Sequence, residues 1–289
     1  MTTLSDTRSS LHTVQLPQGP IQYKYMGEGP TLLFVHGFLV NGEMWRKVYG
    51  PLSARFRCVV PTLPLGGHAH PMREDADLSP LGVAQLIDDF MAALELDDVT
   101  VVACDTGGAF TQLLAVHHPE RVGRLVLTNC DAFEHFVPPI LKPFILLFRL
   151  PGGPSFFAWT LRLRAVQKLL YALLAHAPLE PHIAKGYFEG FIHNRDIRRD
   201  ATKVALGISK RYTLDAAERF GEFHKPVSVV WGQDDRLFIF GERLAQAFPN
   251  ARLERVAGSR TFVTEDQPEV LTKSITLFMN ETISEPVPT

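Results

Sequence analysis

The chain of 289 residues has few cysteines, almost no net charge and no long apolar run. Its three cysteines, Cys58, Cys104 and Cys130, lie in apolar, strand-like contexts without metal-ligand spacing, which indicates buried thiols in a reducing compartment. The formal net charge of -2 gives no sign of a nucleic acid or an anionic membrane as partner. No stretch of about 18 apolar residues could span a bilayer, and residues 1–10 are polar with no apolar signal segment behind them. We therefore expect a cytoplasmic monomer or homodimer with a small-molecule substrate, no nucleic acid partner and no integral membrane segment.

What the sequence does contain is an alternation of strand and helix patterns. The length suits one large α/β domain with an insertion, or two small domains. Buried strands separated by segments of helical spacing indicate a parallel, doubly wound sheet, which binds ligands at the carboxyl ends of its strands. The predicted strands are 11–16 and 21–26 as a hairpin, then 31–35, 56–60, 99–102, 122–128, 226–231 and 251–256.

The pattern changes at about Asp131, and no convincing strand follows until about Phe220. This stretch consists of apolar segments interrupted by prolines, with a basic, acid-containing run at 194–200. A membrane-surface role for Phe144–Phe148 competes with a lid over an apolar pocket, and a short apolar run bounded by prolines favours the lid.

One stretch, residues 99–110, organises the rest of the chain. The β-branched run at 99–102 predicts a strand buried on both faces, and the spacing from Phe110 onwards predicts a helix. Ala103 and Gly107 are small residues two before and two after Asp105, as a sharp strand-to-helix turn requires. Asp105 would then stand at a helix N-terminus, where backbone N–H groups favour a negative charge.

This stretch resembles the nucleophile elbow of the α/β-hydrolase fold, in the branch whose nucleophile is aspartate, the haloalkane dehalogenases and epoxide hydrolases. The alternative is an aspartate N-cap in an ordinary Rossmann-like unit. The resemblance implies an α/β-hydrolase fold, with a mostly parallel eight-stranded sheet flanked by helices. It also implies a core formed by residues 1–131 and 222–289, and a helical cap at 132–221 inserted after the sixth strand.

The resemblance also implies an oxyanion hole. A His36-Gly37-Phe38 turn ends the third strand, and in the family the backbone N–H after this glycine, here that of Phe38, acts with the N–H of Thr106. His36 is better explained as a structural turn residue than as a catalyst. The residues predicted to line the substrate pocket are His36, Leu39, Trp231 and Phe262.

For the other catalytic residues, the resemblance implies an acid, but the family histidine is absent from its position. The family acid lies three residues after the glycine that follows the seventh strand, which selects Asp235 over Asp234, with Asp131 in reserve near the end of the sixth strand. An acid there orients an imidazole and stabilises its cation. The family histidine belongs in the frame Gly258–Pro268, but threonine occupies its position, Thr261.

Two further positions depart from the branch. Thr106 stands where the dehalogenases and many epoxide hydrolases have a tryptophan, and Leu39 replaces the proline of the epoxide hydrolase turn. Epoxide hydrolases also use two cap tyrosines to activate the epoxide. The candidates here are Tyr171, Tyr187 and Tyr212.

Three functions remain open from the sequence. The first, which we favour, is a hydrolase of a small to medium apolar substrate with Asp105 as nucleophile and a recruited histidine, His68 being the first choice. The second is a lyase or isomerase that uses Asp105 as acid or base. The third is a ligand-binding protein, or a chain whose histidine was replaced to trap a complex. No histidine pair or glycine-rich pattern indicates a metal or another cofactor.

Overall fold

An eight-stranded sheet forms the centre of the computed structural model, which describes residues 10–284. The strand order is β1-β2-β4-β3-β5-β6-β7-β8; β1 and β2 run antiparallel to their neighbours and the other pairs are parallel. The predicted fold class, a mostly parallel eight-stranded sheet flanked by helices, is confirmed. The strands are β1 Ser10–Leu16, β2 Gly19–Met26, β3 Thr31–Val35, β4 Arg57–Thr62, β5 Val99–Asp105, β6 Val122–Cys130, β7 Val227–Gly232 and β8 Ala251–Val256.

The central strands are apolar on both faces because helices cover both sides of the sheet. Every residue of β3, β5 and β6 is buried. Side chains alternate between two cores, so that Val101 packs on one side and Val102 on the other. The sheet therefore holds the carboxyl ends of β3, β5 and β6 next to one another, with Val35 paired to Ala103 and Ala103 to Leu127.

Twelve α-helices connect and cover the strands in the described part of the chain. A short 3-10 turn at Gly42–Trp45, capped by the Asn41 side chain, precedes the first α-helix, which begins at Arg46. The helices are α1 Arg46–Leu52, α2 Pro80–Ala93, α3 Thr106–His117, α4 Lys142–Leu147, α5 Gly153–Thr160, α6 Arg164–Ala172, α7 Pro181–His193, α8 Arg195–Gly207, α9 Lys210–Glu218, α10 Gly241–Ala247, α11 Val263–Asp266 and α12 Pro268–Ser284.

The segment between β6 and β7 is helical, from α4 to α9, with short 3-10 turns at Pro139–Leu141 and Phe220–Glu222. Its apolar segments pack on one another through aromatic rings. Phe157 of α5, for example, contacts Phe148 and Phe191 at centroid distances of 5.9 and 6.0 Å. None of the helices between residues 10 and 284 is both long enough and apolar enough to cross a bilayer.

Candidate active site

A strained turn joins β5 to α3 at Asp105. This residue has φ 56° and ψ −138°, a region that residues with a side chain rarely occupy. The turn packs so closely that a Cβ on Gly107 would lie 2.5 Å from the carbonyl oxygen of His36, and a Cβ on Gly37 would lie 2.0 Å from Oδ2 of Asp105. The small residues around Asp105 therefore leave the space in which its side chain stands at the end of the sheet.

The Asp105 carboxyl is buried beside two backbone donors. The N–H groups of Thr106 and Phe38 both donate hydrogen bonds to it. Burial raises the pKa of Asp105 to about 7, and the nearby Asp235 carboxylate adds to the rise, while the two N–H donors oppose it. These are the two groups predicted to form an oxyanion hole, a role that stays a prediction.

Asp235 and Thr261 are held together in a hydrogen-bonded group. The Thr261 hydroxyl donates to Oδ2 of Asp235 at 2.9 Å, and the Asn129 amide donates to the same oxygen at 2.8 Å. The backbone N–H of Leu237 donates to Oδ1 at 2.7 Å. Asp234 points elsewhere and pairs with His176 at 2.9 Å. Asp235, selected from the sequence by its distance from Gly232, is thus the carboxylate that contacts position 261.

Asp131 lies outside that group. Its Oδ1 accepts the backbone N–H of Val137 at 2.7 Å, and the residue is fully buried. Burial raises the pKa of Asp131 well above its ordinary value, and the charge of Asp105 raises it further. Asp131, the reserve candidate for the acid, therefore stabilises the loop after β6. The carboxylate that accepts the Thr261 hydroxyl is Asp235.

Neither candidate histidine lies on the cavity that contains Asp105. His68 is buried with Nε2 at 3.3 Å from Asp200, and its Nδ1 accepts the N–H of Gly66 at 3.3 Å. Nε2 of His36 accepts the N–H of Leu63 at 2.8 Å, and burial lowers the pKa of His36 to about 4, so its ring is neutral. All eleven histidines lie within the described residues, and none lines this cavity.

The cavity over Asp105 has a volume of about 120 Å³ and an almost wholly apolar wall. Asp105 is the one charged side chain among the described residues that form it. The lining residues are Phe38, Leu39, Val40, Asp105, Thr106, Val137, Pro138, Leu141, Phe144, Ile145, Phe148, Phe157, Leu170, Tyr171, Leu174 and Phe188.

Of the predicted pocket residues, Leu39 lines this cavity, whereas His36, Trp231 and Phe262 do not. The Trp231 indole donates to the carbonyl of Phe238 at 2.9 Å and lines a separate surface depression. Phe262 packs behind the wall against Tyr171, at a centroid distance of 5.3 Å. Most of the wall comes from residues 137–188, whose apolar segments predicted a lid but not which side chains face inwards.

The three tyrosines differ in position. Tyr171 lines the cavity, and its hydroxyl lies 3.4 Å from Oε1 of Glu265. Tyr187 is buried behind it with the rings stacked at 6.4 Å, and Tyr212 packs near the other core. Burial raises the pKa of both Tyr171 and Tyr187, so both hydroxyls keep their protons. The structure therefore brings two of the three candidates together.

Residues 10–284 contain no group of three or more His, Cys, Asp or Glu side chains suited to hold a metal ion. All three cysteines are buried free thiols. Burial raises the pKa of Cys104, beside the elbow, well above its ordinary value, and the charge of Asp105 raises it further, so this thiol is not a nucleophile at neutral pH.

Comparison with known proteins agrees with this architecture. The alpha/beta hydrolase fold family matches residues 30–268, so the chain belongs to that family. The resemblance inferred from the elbow is confirmed, and homologues and structural neighbours of the chain are hydrolases of this superfamily.

Two relatives illustrate the similarity in sequence. Haloalkane dehalogenase 2 of Mycobacterium tuberculosis is 27% identical over 271 residues, which cover 89% of this chain and 91% of the relative. A 2-hydroxy-6-oxo-6-phenylhexa-2,4-dienoate hydrolase of Comamonas testosteroni is 26% identical over 241 residues, or 81% and 82% of the two chains.

Two solved structures illustrate the similarity in fold. The epoxide hydrolase CorEH superposes with a TM-score of 0.81 at 17% identity, covering 95% of this chain and 99% of its own. The haloalkane dehalogenase DbeA of Bradyrhizobium elkani gives 0.80 at 18% identity, with 96% and 99% covered.

Proposed function

We propose that the protein is a hydrolase-fold enzyme in which Asp105 attacks a small apolar electrophile and becomes esterified. The observation that carries this proposal is the position of Asp105, a single carboxyl on the apolar wall of a cavity of about 120 Å³. An apolar wall excludes water and binds the substrate through surface burial, which brings a reactive carbon against the carboxylate.

The proposed first step is a displacement. A carboxylate oxygen of Asp105 forms a bond to the substrate carbon, and the bond from that carbon to the leaving group breaks, its electron pair departing with the leaving group. The second carboxylate oxygen stays with the N–H groups of Phe38 and Thr106. Those donors would stabilise the oxyanion that forms when water later attacks the ester carbonyl.

An epoxide fits the cavity wall better than a haloalkane. Thr106 replaces the tryptophan that holds a departing halide in the dehalogenases, so the halide would lose one donor. Tyr171 lies on the wall as a protonated phenol, and its 3.4 Å contact with Glu265 is long enough to exchange for a bond to an epoxide oxygen.

The proposed second step, hydrolysis of the ester, would be slow. Thr261 occupies the position of the family histidine beside Asp235, and a threonine hydroxyl does not accept a proton at neutral pH. Loss of a general base typically costs about 10²- to 10⁴-fold in rate. We therefore expect the ester on Asp105 to accumulate. Residues 132–221 would act as a cap that excludes bulk water from the ester.

One observation favours a second candidate, a lyase or isomerase in which Asp105 transfers a proton. A carboxyl with a pKa of about 7 is matched to acid–base chemistry at neutral pH. Such an enzyme would need no base at position 261 and would form no ester.

Intact-protein mass spectrometry separates these functions. The protein is incubated with a panel of epoxides, bromoalkanes and activated esters, and any adduct is mapped by peptide analysis. We expect an adduct on the peptide that contains Asp105, and none in Asp105→Asn. Product release without an adduct would contradict slow hydrolysis, and neither adduct nor product across the panel would contradict the nucleophilic function.

The matched variant for the second step is Thr261→His. With an imidazole next to Asp235, the same substrate should turn over, and the adduct should decay at least about 100-fold faster. Ser274→Ala on helix α12, none of whose residues lines the cavity, is a control that should leave both steps unchanged. If Thr261→His forms the adduct and keeps it as long as the parent protein does, position 261 does not limit hydrolysis.

A further inference from the structure

Helices α4, α5 and α6 and the turns beside them expose an unusual amount of apolar surface. Thirteen large apolar side chains are exposed among the described residues, and seven of them fall between residues 140 and 169. Single exposed apolar residues are normal, but a concentration of this kind marks an interaction surface. The seven are Ile140, Leu146, Leu150, Phe156, Trp159, Leu163 and Leu169.

This face, which we call the outer lid surface, belongs to helices whose inner sides are already occupied. Phe144 and Phe148 of the α4 region, Phe157 of α5 and Leu170 of α6 line the cavity over Asp105. Phe156 and Trp159 point outwards from α5, 55% and 57% exposed, with their rings stacked at 6.0 Å. The inner contacts therefore explain the fold of these helices, and nothing in the described chain covers their outer sides.

The charge on this surface has one sign. Residues 137–179 contain no aspartate or glutamate. Five basic side chains lie among the exposed apolar ones, all of them exposed, and none of the five forms an ion pair within residues 10–284. They are Lys142, Arg149, Arg162, Arg164 and Lys168. The total charge of -2 conceals this local excess, because the compensating acids lie elsewhere.

A groove beside the outer lid surface is also lined by both basic and apolar side chains. It has a volume of about 250 Å³, and Lys142, Arg149 and Lys210 line it together with Ile145, Leu146 and one acid, Glu134, which is paired with Arg243. Val137 and Ile145 line both this groove and the cavity over Asp105, so the groove and the apolar interior share part of one wall.

We propose that the outer lid surface docks onto an anionic lipid bilayer. Exposed Trp, Phe and Leu side chains with interspersed Lys and Arg are the composition of helices that lie in the interface of a membrane. Each basic side chain near an anionic surface adds attraction, and its long apolar stem can lie along the acyl boundary while the charge stays in the headgroup layer. A second copy of the chain would bring five basic side chains against five others, which disfavours self-association through this face.

Docking would place the cavity next to the bilayer. The helices that touch the lipid on one side wall the cavity on the other, so an apolar compound dissolved in the acyl region would have a short path to Asp105. The docking itself does not depend on the reaction at Asp105 and is tested without it.

The experiment uses Trp159 as a built-in reporter. The other two tryptophans, Trp45 and Trp231, are buried, so a change in tryptophan emission on adding vesicles reports Trp159. We expect a blue shift, quenching by brominated acyl chains, and co-sedimentation with vesicles of phosphatidylcholine and phosphatidylglycerol. Binding to phosphatidylcholine alone should be at least about tenfold weaker.

Two pairs of variants locate the surface. Phe156→Ser/Trp159→Ser should lower co-sedimentation with the mixed vesicles at least about tenfold, whereas the exposed control Leu277→Ser on α12 should not. Arg162→Gln/Lys168→Gln should bind more weakly than Lys273→Gln/Arg73→Gln, which removes the same charge elsewhere. Circular dichroism confirms that each variant is folded.

Equal binding to neutral and anionic vesicles, or equal loss in the control variants, would overturn the proposal. So would a dimer in sedimentation analysis that Phe156→Ser/Trp159→Ser dissociates, with no vesicle binding by the parent protein, since the occupant would then be a second copy.

Discussion

At the scale of single residues, burial of the Asp105 carboxyl lowers the free energy of unfolding at neutral pH, because the charged form is disfavoured there. Its pKa is about 7 in the folded chain, against an ordinary value of 3.8, because the carboxyl is buried. The folded state therefore binds more protons than the unfolded chain between about pH 4 and pH 7, and stability falls as the pH rises through that range. Such a cost is typical of a residue retained for chemistry.

Asp105→Asn should remove this cost. At pH 8 the variant should be more stable than the parent protein by a few kcal/mol, since one pKa unit corresponds to about 1.4 kcal/mol. The difference should shrink as the pH falls towards 4, because the folded carboxyl is then protonated and the unfolded one approaches its pKa of 3.8. Urea unfolding of both proteins at several pH values measures this difference, in which the other titrating groups cancel. A difference that is independent of pH would contradict the raised pKa.

At the scale of elements, the β5–α3 elbow depends on the turn after β3. These two segments meet because β3 and β5 are parallel neighbours, and Gly37 leaves the space that the Asp105 carboxyl occupies. The distance of 2.0 Å from a Cβ on Gly37 to Oδ2 of Asp105 is far below a van der Waals contact, so any side chain at position 37 must displace the carboxyl.

Gly37→Ala should therefore strongly slow ester formation while the chain still folds. We expect a loss of about 100-fold or more in the rate of adduct formation, because displacements of about 1 Å have effects of that size, and a destabilisation of about 1–3 kcal/mol. Gly50→Ala is the matched control, since a Cβ there meets no atom within 4 Å and alanine favours the helix α1. Wild-type rates in Gly37→Ala would mean that the carboxyl works from another position.

The elements and the elbow were predictable because their signals are local. The predicted strands 31–35 and 251–256 have the same bounds as β3 and β8 in the structure. Strands β4 and β6 each continue two residues beyond the predicted ends at 60 and 128. The residues of the cavity wall were not predictable, because they depend on how each helix is rotated about its own axis when it packs over the sheet. Phe262, which the sequence predicted in the pocket, instead packs against Tyr171 behind the cavity wall.

At the scale of the whole molecule, one group of charges joins the segment between β6 and β7 to the rest of the chain. Arg46, at the start of α1, pairs with Glu265 of α11 and, at 3.1 Å, with Glu180 just before α7. Glu265 is nearly fully buried and also pairs with Lys47 at 2.9 Å. The same carboxylate lies next to the Tyr171 hydroxyl on the cavity wall. No local pattern in the sequence predicts this group, since its members lie up to 219 residues apart.

Arg46→Met should loosen this connection. It leaves the buried Glu265 carboxylate with Lys47 as its remaining cationic partner, and breaking a buried pair typically costs about 3–5 kcal/mol, of which Lys47 should recover part. Glu180→Gln is the control, because Glu180 is exposed and its pair with Arg46 should contribute little. Hydrogen exchange distinguishes a local from a global effect: we expect faster exchange in α6 and α7 than the loss of global stability explains. Uniform acceleration that includes β5 and β6 would show that Arg46 stabilises the whole fold and does not specifically hold the helices over the Asp105 cavity.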